Sequence, residues 1–220
     1  DWTDNGQYAF RMINGGDGMQ AQVDTRDNAT VYSGSQFGFY GRYNKNARGT
    51  QKSLHPQHEL GDKPLRFNWQ TPILLSKHNQ DILYFGSNRF YRSLNKGDSM
   101  QVMSPDLTNG RVPGNVPYGT ITTISESPLR FGLIYTGTDD GNIHVTKDGG
   151  YSWEQLNQIV STSAPKKAKQ QTTNNKLSAP AGKLQTNNLW VSRVTASQYK
   201  ESRVYASLNG YRFDHFAPYL

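Results

Sequence analysis

Ile134-Tyr135-Thr136-Gly137-Thr138 has the composition of a short β-strand, because β-branched and aromatic residues dominate it. The 220-residue chain repeats this pattern as Val31-Tyr32-Ser33-Gly34-Ser35, Leu83-Tyr84-Phe85-Gly86-Ser87 and Val204-Tyr205-Ala206-Ser207. The four tyrosines are 52, 51 and 70 residues apart. A repeat of this length indicates an array of small sheets, and the simplest such array is a set of β-propeller blades.

Each repeat contains further strand signals around this pattern. A β-rich segment precedes it and ends at a Ser or Asp, and we predict that these segments are the inner strands: Met19–Asp24, Thr71–Ser76, Tyr118–Ser125 and Trp190–Ser197. In the third repeat, Asp139-Asp140-Gly141 predicts a hairpin turn, Asn142–Thr146 a third strand and Tyr151–Leu156 an outer strand. The second repeat follows the same plan.

The other two repeats are expected to be less complete. The first is irregular through Gln51–Lys63, and the fourth stops before any outer strand signal. At roughly 51 residues per repeat, the chain has room for about four blades. We therefore predict an all-β chain of four-stranded antiparallel blades. Residues 1–220 would form a single propeller domain or part of a larger propeller.

Composition excludes several functional classes. The chain has no cysteine, which excludes a disulfide scaffold, a thiolate metal site and a cysteine nucleophile. No apolar run approaches the roughly 18 residues that span a bilayer, and no signal peptide is visible. The formal charge is +7, but residues 161–188 contribute five lysines and no acidic residue, which leaves +2 for the remainder. We interpret 161–188 as a low-complexity, Lys-rich loop inserted between blades, and we expect no nucleic-acid-binding face.

Two turns carry a related motif. The first, Thr146-Lys147-Asp148-Gly149-Gly150-Tyr151-Ser152-Trp153, fits Ser/Thr-x-Asp-x-Gly-x-Ser/Thr-Trp, and Ser93-Leu94-Asn95-Lys96-Gly97-Asp98-Ser99-Met100 is a degenerate copy. An Asp or Asn side chain accepts hydrogen bonds from backbone N–H groups in such a turn, glycine permits positive φ, and Trp or Met fills the gap between sheets. We predict a structural role for Thr146, Asp148, Gly150, Trp153, Ser93, Asn95 and Gly97.

The motif resembles the Asp-box of sialidases, xyloglucan-cleaving glycosidases, sortilin-type receptors and photosystem assembly factors. A narrower resemblance rests on Asn14–Gly18, Arg66–Ser76, Tyr84–Arg89, Ser104–Thr108, Tyr118–Thr122 and Trp190–Val194. From about Gly15 onward, the chain resembles bacterial BNR-repeat, VPS10/sortilin-like propeller proteins, which are often labelled glycosyl hydrolases. This resemblance implies a secreted, periplasmic or cell-surface protein and a ring larger than this chain. The Lys-rich insertion departs from the family pattern.

The resemblance also suggests a catalytic pair. In the xyloglucanases that these repeats resemble, one catalytic Asp follows the Tyr-containing strand, and Asp139 holds that position here. Glycoside hydrolysis usually needs two carboxyl groups that face each other across the bond. Asp17, in a glycine-rich turn before the first repeat, is the best second carboxylate. Asp-Gly is also the commonest hairpin turn, so a purely structural role for both residues is the competing interpretation.

Arginine and aromatic side chains are the candidates for binding. Arg66, Arg89 and Arg193 can hold an anionic ligand, because guanidinium makes bidentate contacts with carboxylates. Tyr91 and Tyr211 belong to a set of aromatic residues at strand ends, whose exposed members can stack on sugar rings or peptide side chains. The spacing in His55-Pro56-Gln57-His58-Glu59 does not fit a zinc site, so we expect no metal and no cofactor.

The function predicted from these features is recognition. One face of the propeller would bind a protein or glycan outside the cytoplasm. The alternative is a glycosidase that uses Asp139 and Asp17. A third class, a chaperone or assembly factor, fits the sortilin and photosystem resemblances. The partners would be a protein or glycan ligand and the remainder of a larger propeller, with no membrane span.

Overall fold

The computed structural model describes residues 12–113, 118–158, 184–185, 189–211 and 214. These residues form strands and turns, with one turn of 3-10 helix at Gln36–Gly38. Three antiparallel sheets have four strands each, and within each sheet the strands follow one another in chain order. Their strands are β1 (Gln22–Val23), β2 (Thr30–Ser35), β3 (Phe39–Asn44), β4 (Ala47–Ser53), β5 (Ile73–Leu75), β6 (Leu83–Gly86), β7 (Phe90–Ser93), β8 (Gln101–Val102), β9 (Ile121–Glu126), β10 (Ile134–Thr138), β11 (Ile143–Thr146) and β12 (Glu154–Gln155).

A fourth antiparallel sheet is described by two strands, β15 (Trp190–Ala196) and β16 (Val204–Asn209). Between the third and fourth sheets, β13 (Asn157–Gln158) pairs in parallel with β14 (Leu184–Gln185). The predicted Lys-rich loop at 161–188 therefore contains a strand at its end, and its other residues lie outside the described part of the chain. Successive up-and-down sheets of this kind are propeller blades, so the all-β propeller prediction is confirmed.

The repeated tyrosines occupy equivalent positions in the four sheets. Tyr32, Tyr84, Tyr135 and Tyr205 pair with Gln22, Leu74, Ser125 and Thr195 of the preceding strand. The first three tyrosines are at most 5% exposed, whereas Tyr205 is 56% exposed. The first three tyrosines each belong to an apolar cluster between blades, and the described residues place Tyr205 in none of these clusters.

Two details of the repeat differ from the sequence prediction. In the first repeat, the segment predicted to be irregular, Gln51–Lys63, begins within β4, which completes a four-stranded blade through Ser53, and residues 54–63 lie outside any strand. In the third repeat, the inner strand continues past Ser125, and Ser127 ends it. The Ser127 N–H bonds to Leu133 O, and its hydroxyl accepts the Leu129 N–H at 3.2 Å. Ser76 and Ser197 do the same in their own blades, with the N–H groups of His78 and Tyr199.

The two motif turns share one hydrogen-bond pattern. Thr146 Oγ1 donates to Asp148 Oδ1 at 2.7 Å and accepts the Gly150 N–H at 2.8 Å. The Ser152 N–H donates to Asp148 Oδ1 at 3.0 Å, and hydrogen bonding from Ser152 lowers the pKa of this carboxyl. Trp153 Nε1 donates to Met103 O of the previous blade at 2.8 Å, so the turn connects two blades.

The Ser93–Met100 turn reproduces these bonds. Ser93 Oγ donates to Asn95 Oδ1 at 2.8 Å and accepts the Gly97 N–H at 2.8 Å, and the Ser99 N–H donates to Asn95 Oδ1 at 2.9 Å. In both blades the Asp or Asn side chain accepts a backbone N–H and closes the turn.

Side chains from one inner strand satisfy the exposed backbone of the next. Gln20 and Gln22 Oε1 accept the N–H groups of Ile73 and Leu75 at 3.3 Å. Thr123 and Ser125 hydroxyls accept the N–H groups of Val194 and Ala196 at 3.2 and 3.0 Å. These side-chain oxygens bind N–H groups along the edge of the next inner strand, and they connect consecutive blades.

Within the described residues, the apolar core forms three clusters, and each cluster lies between consecutive blades. Tyr32 and Tyr40 pack with Leu83 and Phe85 in the first cluster. The second joins blades 2 and 3, and the third joins Tyr135 and Ile143 of blade 3 to Val191 of blade 4. Sheets that pack face to face in this way bury one blade against the next.

The glycine of the repeated pattern is needed for this packing. A Cβ on Gly137 would overlap Val191 of the next blade and lie 2.9 Å from Thr123 Cγ2. We expect Gly137→Ala to lower the free energy of unfolding by about 1–3 kcal/mol, the usual cost of overpacking. Gly15→Ala is the control, because a Cβ there meets nothing within 4 Å. Urea unfolding of both variants tests this, and equal midpoints for the two would contradict it.

Candidate functional site

A cavity of about 300 Å³ lies on blade 2, under the segment that connects blade 1 to blade 2. We call it the Arg89 cavity. Three of the five predicted binding residues line it, namely Arg66, Arg89 and Tyr91. The other lining residues are Gln57, His58, Glu59, Asp62, Lys63, Pro64, Leu65, Asn88, Met100, Val102 and Asp106. Polar, charged and apolar groups therefore meet in one concave site, as ligand sites generally require.

The turn before β7 places two of these residues. The Ser87 N–H donates to Arg89 O at 2.9 Å, and the Arg89 N–H donates to Ser87 Oγ at 2.9 Å. This turn directs Arg89 to the cavity, and Tyr91 follows two residues later on β7. Tyr91 is 6% exposed, and burial raises the pKa of its phenol. A hydrogen bond with Ser87 lowers the pKa of the phenol against the larger effect of burial, so Tyr91 already contacts the turn that carries Arg89.

Arg66 is fixed within the wall of the cavity. Its guanidinium donates to Gly119 O at 2.9 Å, to Asp106 Oδ2 at 2.7 Å and to Thr108 Oγ1 at 2.9 Å. Burial raises the pKa of Asp106, but hydrogen bonds from Thr108 and Arg66 outweigh it and hold the pKa below the ordinary value. Asn88 also donates to Asp106, at 3.0 Å. Arg66 thus serves mainly to hold the wall in place.

Arg89 differs from Arg66 because its guanidinium makes no ion pair within the described residues. The cavity has three further charges at its rim, Glu59, Asp62 and Lys63. The formal charges of the lining residues therefore balance when His58 is neutral. A ligand anion would be attracted by directed hydrogen bonds from Arg89 and not by a strong net field.

The other two predicted binding residues lie elsewhere. Arg193 is exposed on β15 and pairs in register with Ser207. Tyr211 is 57% exposed after β16. Both belong to blade 4, and neither lines the Arg89 cavity.

Asp139, the first predicted catalytic residue, is fully buried at the turn between β10 and β11. Its Oδ1 accepts the N–H groups of Gly119 and Thr120 at 3.0 and 2.8 Å. Its Oδ2 accepts the Thr120 hydroxyl at 2.6 Å and Asn68 Nδ2 at 3.4 Å. Burial outweighs these donors and raises the pKa of Asp139 to about 6. The carboxyl connects the turn to the segments that lead into β5 and β9.

Asp17, the second predicted catalytic residue, is exposed. A Cβ added to the neighbouring Gly16 would lie 3.0 Å from Ser35 Cβ, which places this turn beside the end of β2. Asp17 therefore belongs to blade 1 and Asp139 to blade 3. The Asp17 carboxyl is exposed to solvent, and the Asp139 carboxyl is buried. Their role as a catalytic pair stays a prediction.

The histidine segment makes packing contacts. His55 Nδ1 lies 2.9 Å from Gly38 O, and its ring stacks on Phe39 with centroids 4.6 Å apart. In the described part of the chain, no group of three His, Cys, Asp or Glu side chains is arranged to hold a metal ion. The same residues contain no helix of the length and apolarity that a bilayer crossing needs.

Sequence reasoning missed a buried carboxylate at the opposite end of the blades. Glu126 is 2% exposed at the end of β9. Its Oε2 accepts the Ser76 hydroxyl at 2.7 Å and the Lys77 N–H at 3.1 Å, and its Oε1 accepts the Tyr84 hydroxyl at 2.7 Å. Its partners lie 42 to 50 residues away along the chain, so no short-range pattern marks it.

The fold and the cavity together define a protein built of propeller blades with a concave site on blade 2. No family model and no curated protein matches the chain. Among solved structures, YCF48 bound to D1 peptide is 16% identical, with a TM-score of 0.42, over 64% of this chain and 41% of that chain. An ancestral GH74 enzyme is 17% identical, with a TM-score of 0.44, over 64% of this chain and 18% of that chain.

A third solved structure, the GH74 enzyme of Niastella koreensis, is 12% identical, with a TM-score of 0.35, over 87% of this chain and 35% of that chain. The match spans less than half the length of each of these three structures. The assignment of propeller blades to this chain rests on its own sheet order and register.

Proposed function

We propose that this chain is a recognition module that binds a protein or glycan ligand through the Arg89 cavity. The observation that carries the proposal is the meeting of Arg89, which has no ion-pair partner in the described residues, and the buried Tyr91 in a site of about 300 Å³. Both groups are hydrogen-bond donors at neutral pH, so the ligand group they suit is an anion such as a carboxylate. Arg66 and Asp106 support the wall beside them.

The test compares binding of wild type, Arg89→Gln and Arg193→Gln to an array of acidic and neutral peptides and oligosaccharides. Arg193 is the matched control, because it is an exposed arginine outside the cavity. We expect Arg89→Gln to weaken binding of acidic probes by about tenfold or more, since a charge-assisted hydrogen bond is lost. Arg193→Gln should bind as wild type does. Equal losses in both variants, or no probe bound by wild type, would contradict the proposal.

We also propose a family for the propeller and a cellular location for the protein. The shared hydrogen bonds of the Thr146–Trp153 and Ser93–Met100 turns support their assignment as Asp-boxes of a BNR-repeat protein related to the VPS10/sortilin group. We place the protein outside the cytoplasm, where the ligand would be a secreted or surface-exposed molecule. The remainder of a larger propeller is a further proposed partner, and the exposed Tyr205 of blade 4 is consistent with it.

Glycoside hydrolysis by Asp139 and Asp17 is the second candidate function. The raised pKa of Asp139, about 6, favours it, because general acids in glycosidases have raised pKa values. The enclosed carboxyl of Asp139 favours recognition. Hydrolysis of a polysaccharide that Asp139→Asn abolishes would replace the recognition proposal.

A further inference from the structure

Exposed aromatic rings lie at the end of blade 1 where β2 turns into β3. Phe39 is 60% exposed, and one face of its ring is stacked on His55 at an interplanar angle of 6°. Trp69 is 43% exposed and meets Phe37 edge-on, with centroids 5.0 Å apart. His55 also packs on Phe67, with centroids 4.4 Å apart. We call these five residues the Phe39 platform.

The backbone holds this platform in an uncommon conformation. Phe37 has a φ of 59°, which bulky residues rarely adopt. Its N–H donates to Trp69 O at 3.1 Å, and the following Gly38 has a φ of 79° and a carbonyl that His55 contacts. These contacts hold the backbone next to the exposed rings of Phe39 and Trp69. Unfavourable backbone geometry concentrates at functional sites, which makes the platform a candidate for binding.

The platform is continuous with the Arg89 cavity along the chain. Phe67 of the platform directly follows Arg66 of the cavity wall, and His55 lies two residues before Gln57 of that wall. Consecutive Cα atoms are about 3.8 Å apart, so the backbone that supports the platform lies within one or two residues of the cavity wall. Both lie at the end of the blades where the second and third strands are joined. Asp17, an exposed carboxylate, lies near the same end of blade 1.

We infer that the platform and the Arg89 cavity bind one ligand, an oligosaccharide that contains carboxylate-bearing sugars. This inference rests on the proposed function of the cavity. A pyranose ring stacks its C–H face on the negative face of an aromatic ring, and Phe39 and Trp69 are the exposed rings of the platform. The carboxylate of a neighbouring sugar accepts hydrogen bonds from Arg89 and Tyr91. Asp17 accepts hydrogen bonds from sugar hydroxyls.

The shape of the platform favours a glycan over an acidic peptide. Peptide side chains bind best in pockets, where an anchor residue is fully desolvated. Phe39 and Trp69 instead offer rings at an open surface, 60% and 43% exposed, which suit the flat faces of sugar rings.

The experiment measures binding of the full chain to oligogalacturonate, to sialyllactose, to the neutral carboxyl-reduced form of oligogalacturonate, and to an aspartate-rich peptide. The variants are Phe39→Ala, Arg89→Gln and the control Tyr199→Ala, an 86% exposed tyrosine at the opposite end of blade 4. Phe39 is exposed, so its truncation should leave the fold intact, and equal thermal unfolding midpoints verify this. Oligogalacturonate represents the uronic acids of polysaccharides, and sialyllactose represents terminal sialic acids. The comparison therefore shows which of the two kinds of carboxylate-bearing sugar is bound.

Wild type should bind at least one acidic sugar about tenfold or more tightly than the neutral form. Phe39→Ala should weaken binding of acidic and neutral sugars alike by about tenfold, Arg89→Gln should remove only the preference for acid, and Tyr199→Ala should change nothing. Binding of acidic sugars that Phe39→Ala leaves unchanged would overturn the inference. Arg89-dependent binding of the peptide alone would overturn it while leaving the proposed function standing, and binding of no probe would overturn both.

Discussion

Asp139→Ala is expected to lower the free energy of unfolding by about 3–5 kcal/mol. The truncation leaves the buried N–H groups of Gly119 and Thr120 without an acceptor, and each such donor costs about 1–3 kcal/mol. The Thr120 hydroxyl loses its acceptor as well, and a small void adds to the cost. Urea unfolding at pH 5 and at pH 8 measures the effect.

Asp139→Asn is the matched control and should behave differently. The amide keeps an oxygen for the two N–H groups and cannot ionise. The pKa of Asp139 is raised to about 6 from 3.8, so its contribution to stability is full below pH 3.8 and is lost as the pH rises through 6. Relative to wild type, Asp139→Asn should therefore gain on the order of 2–3 kcal/mol between pH 4 and pH 8. Equal losses for Ala and Asn at both pH values would show that Asp139 does not hold this junction.

Glu126→Ala is expected to be of similar severity, about 3–5 kcal/mol, because two buried hydroxyls and the part-buried Lys77 N–H lose their acceptor. Two of the donors, Ser76 and Lys77, follow β5, and the third is the Tyr84 hydroxyl on β6. The carboxylate therefore ties blade 3 to blade 2 at the end opposite the Arg89 cavity. Chemical denaturation gives the size of the effect, and a reduced slope would indicate that blades separate before they unfold.

Tyr84→Phe tests one hydrogen bond of Glu126 separately from the other two. It removes one hydroxyl and leaves Ser76 and Lys77 bonded to Glu126, so we expect a loss of about 1 kcal/mol. Glu126→Gln keeps an oxygen for those two donors and should also be mild. A Glu126→Ala variant as stable as Tyr84→Phe would contradict the role of the carboxylate as a junction between blades.

The blade plan could be predicted from the sequence because it depends on local patterns. The tyrosine repeat, the Asp139-Asp140-Gly141 hairpin and the glycines of the two motif turns are short-range signals. The outer strand β4 was missed because an outermost strand has little to bury. Its sequence, Ala47–Ser53, contains no large apolar residue, so no alternation was visible.

The contacts between blades could not be predicted in this way. Glu126 and Ser76 are 50 residues apart, and Asn68 and Asp139 are 71 apart, so neither pairing leaves a local pattern. The binding residues of the Arg89 cavity were predicted from their residue type alone, which is why Arg193 was predicted alongside Arg89. Position on a blade, and not the guanidinium itself, decides which arginine reaches the cavity.

Hydrogen–deuterium exchange with and without a saturating acidic oligosaccharide tests whether a ligand binds at the Arg89 cavity. Slower exchange is expected in two segments, residues 55–69 and residues 87–91, with no change at the turns that follow β5 and β9. Protection confined to the segments around Thr120 and Asp139, or no protection anywhere, would contradict it.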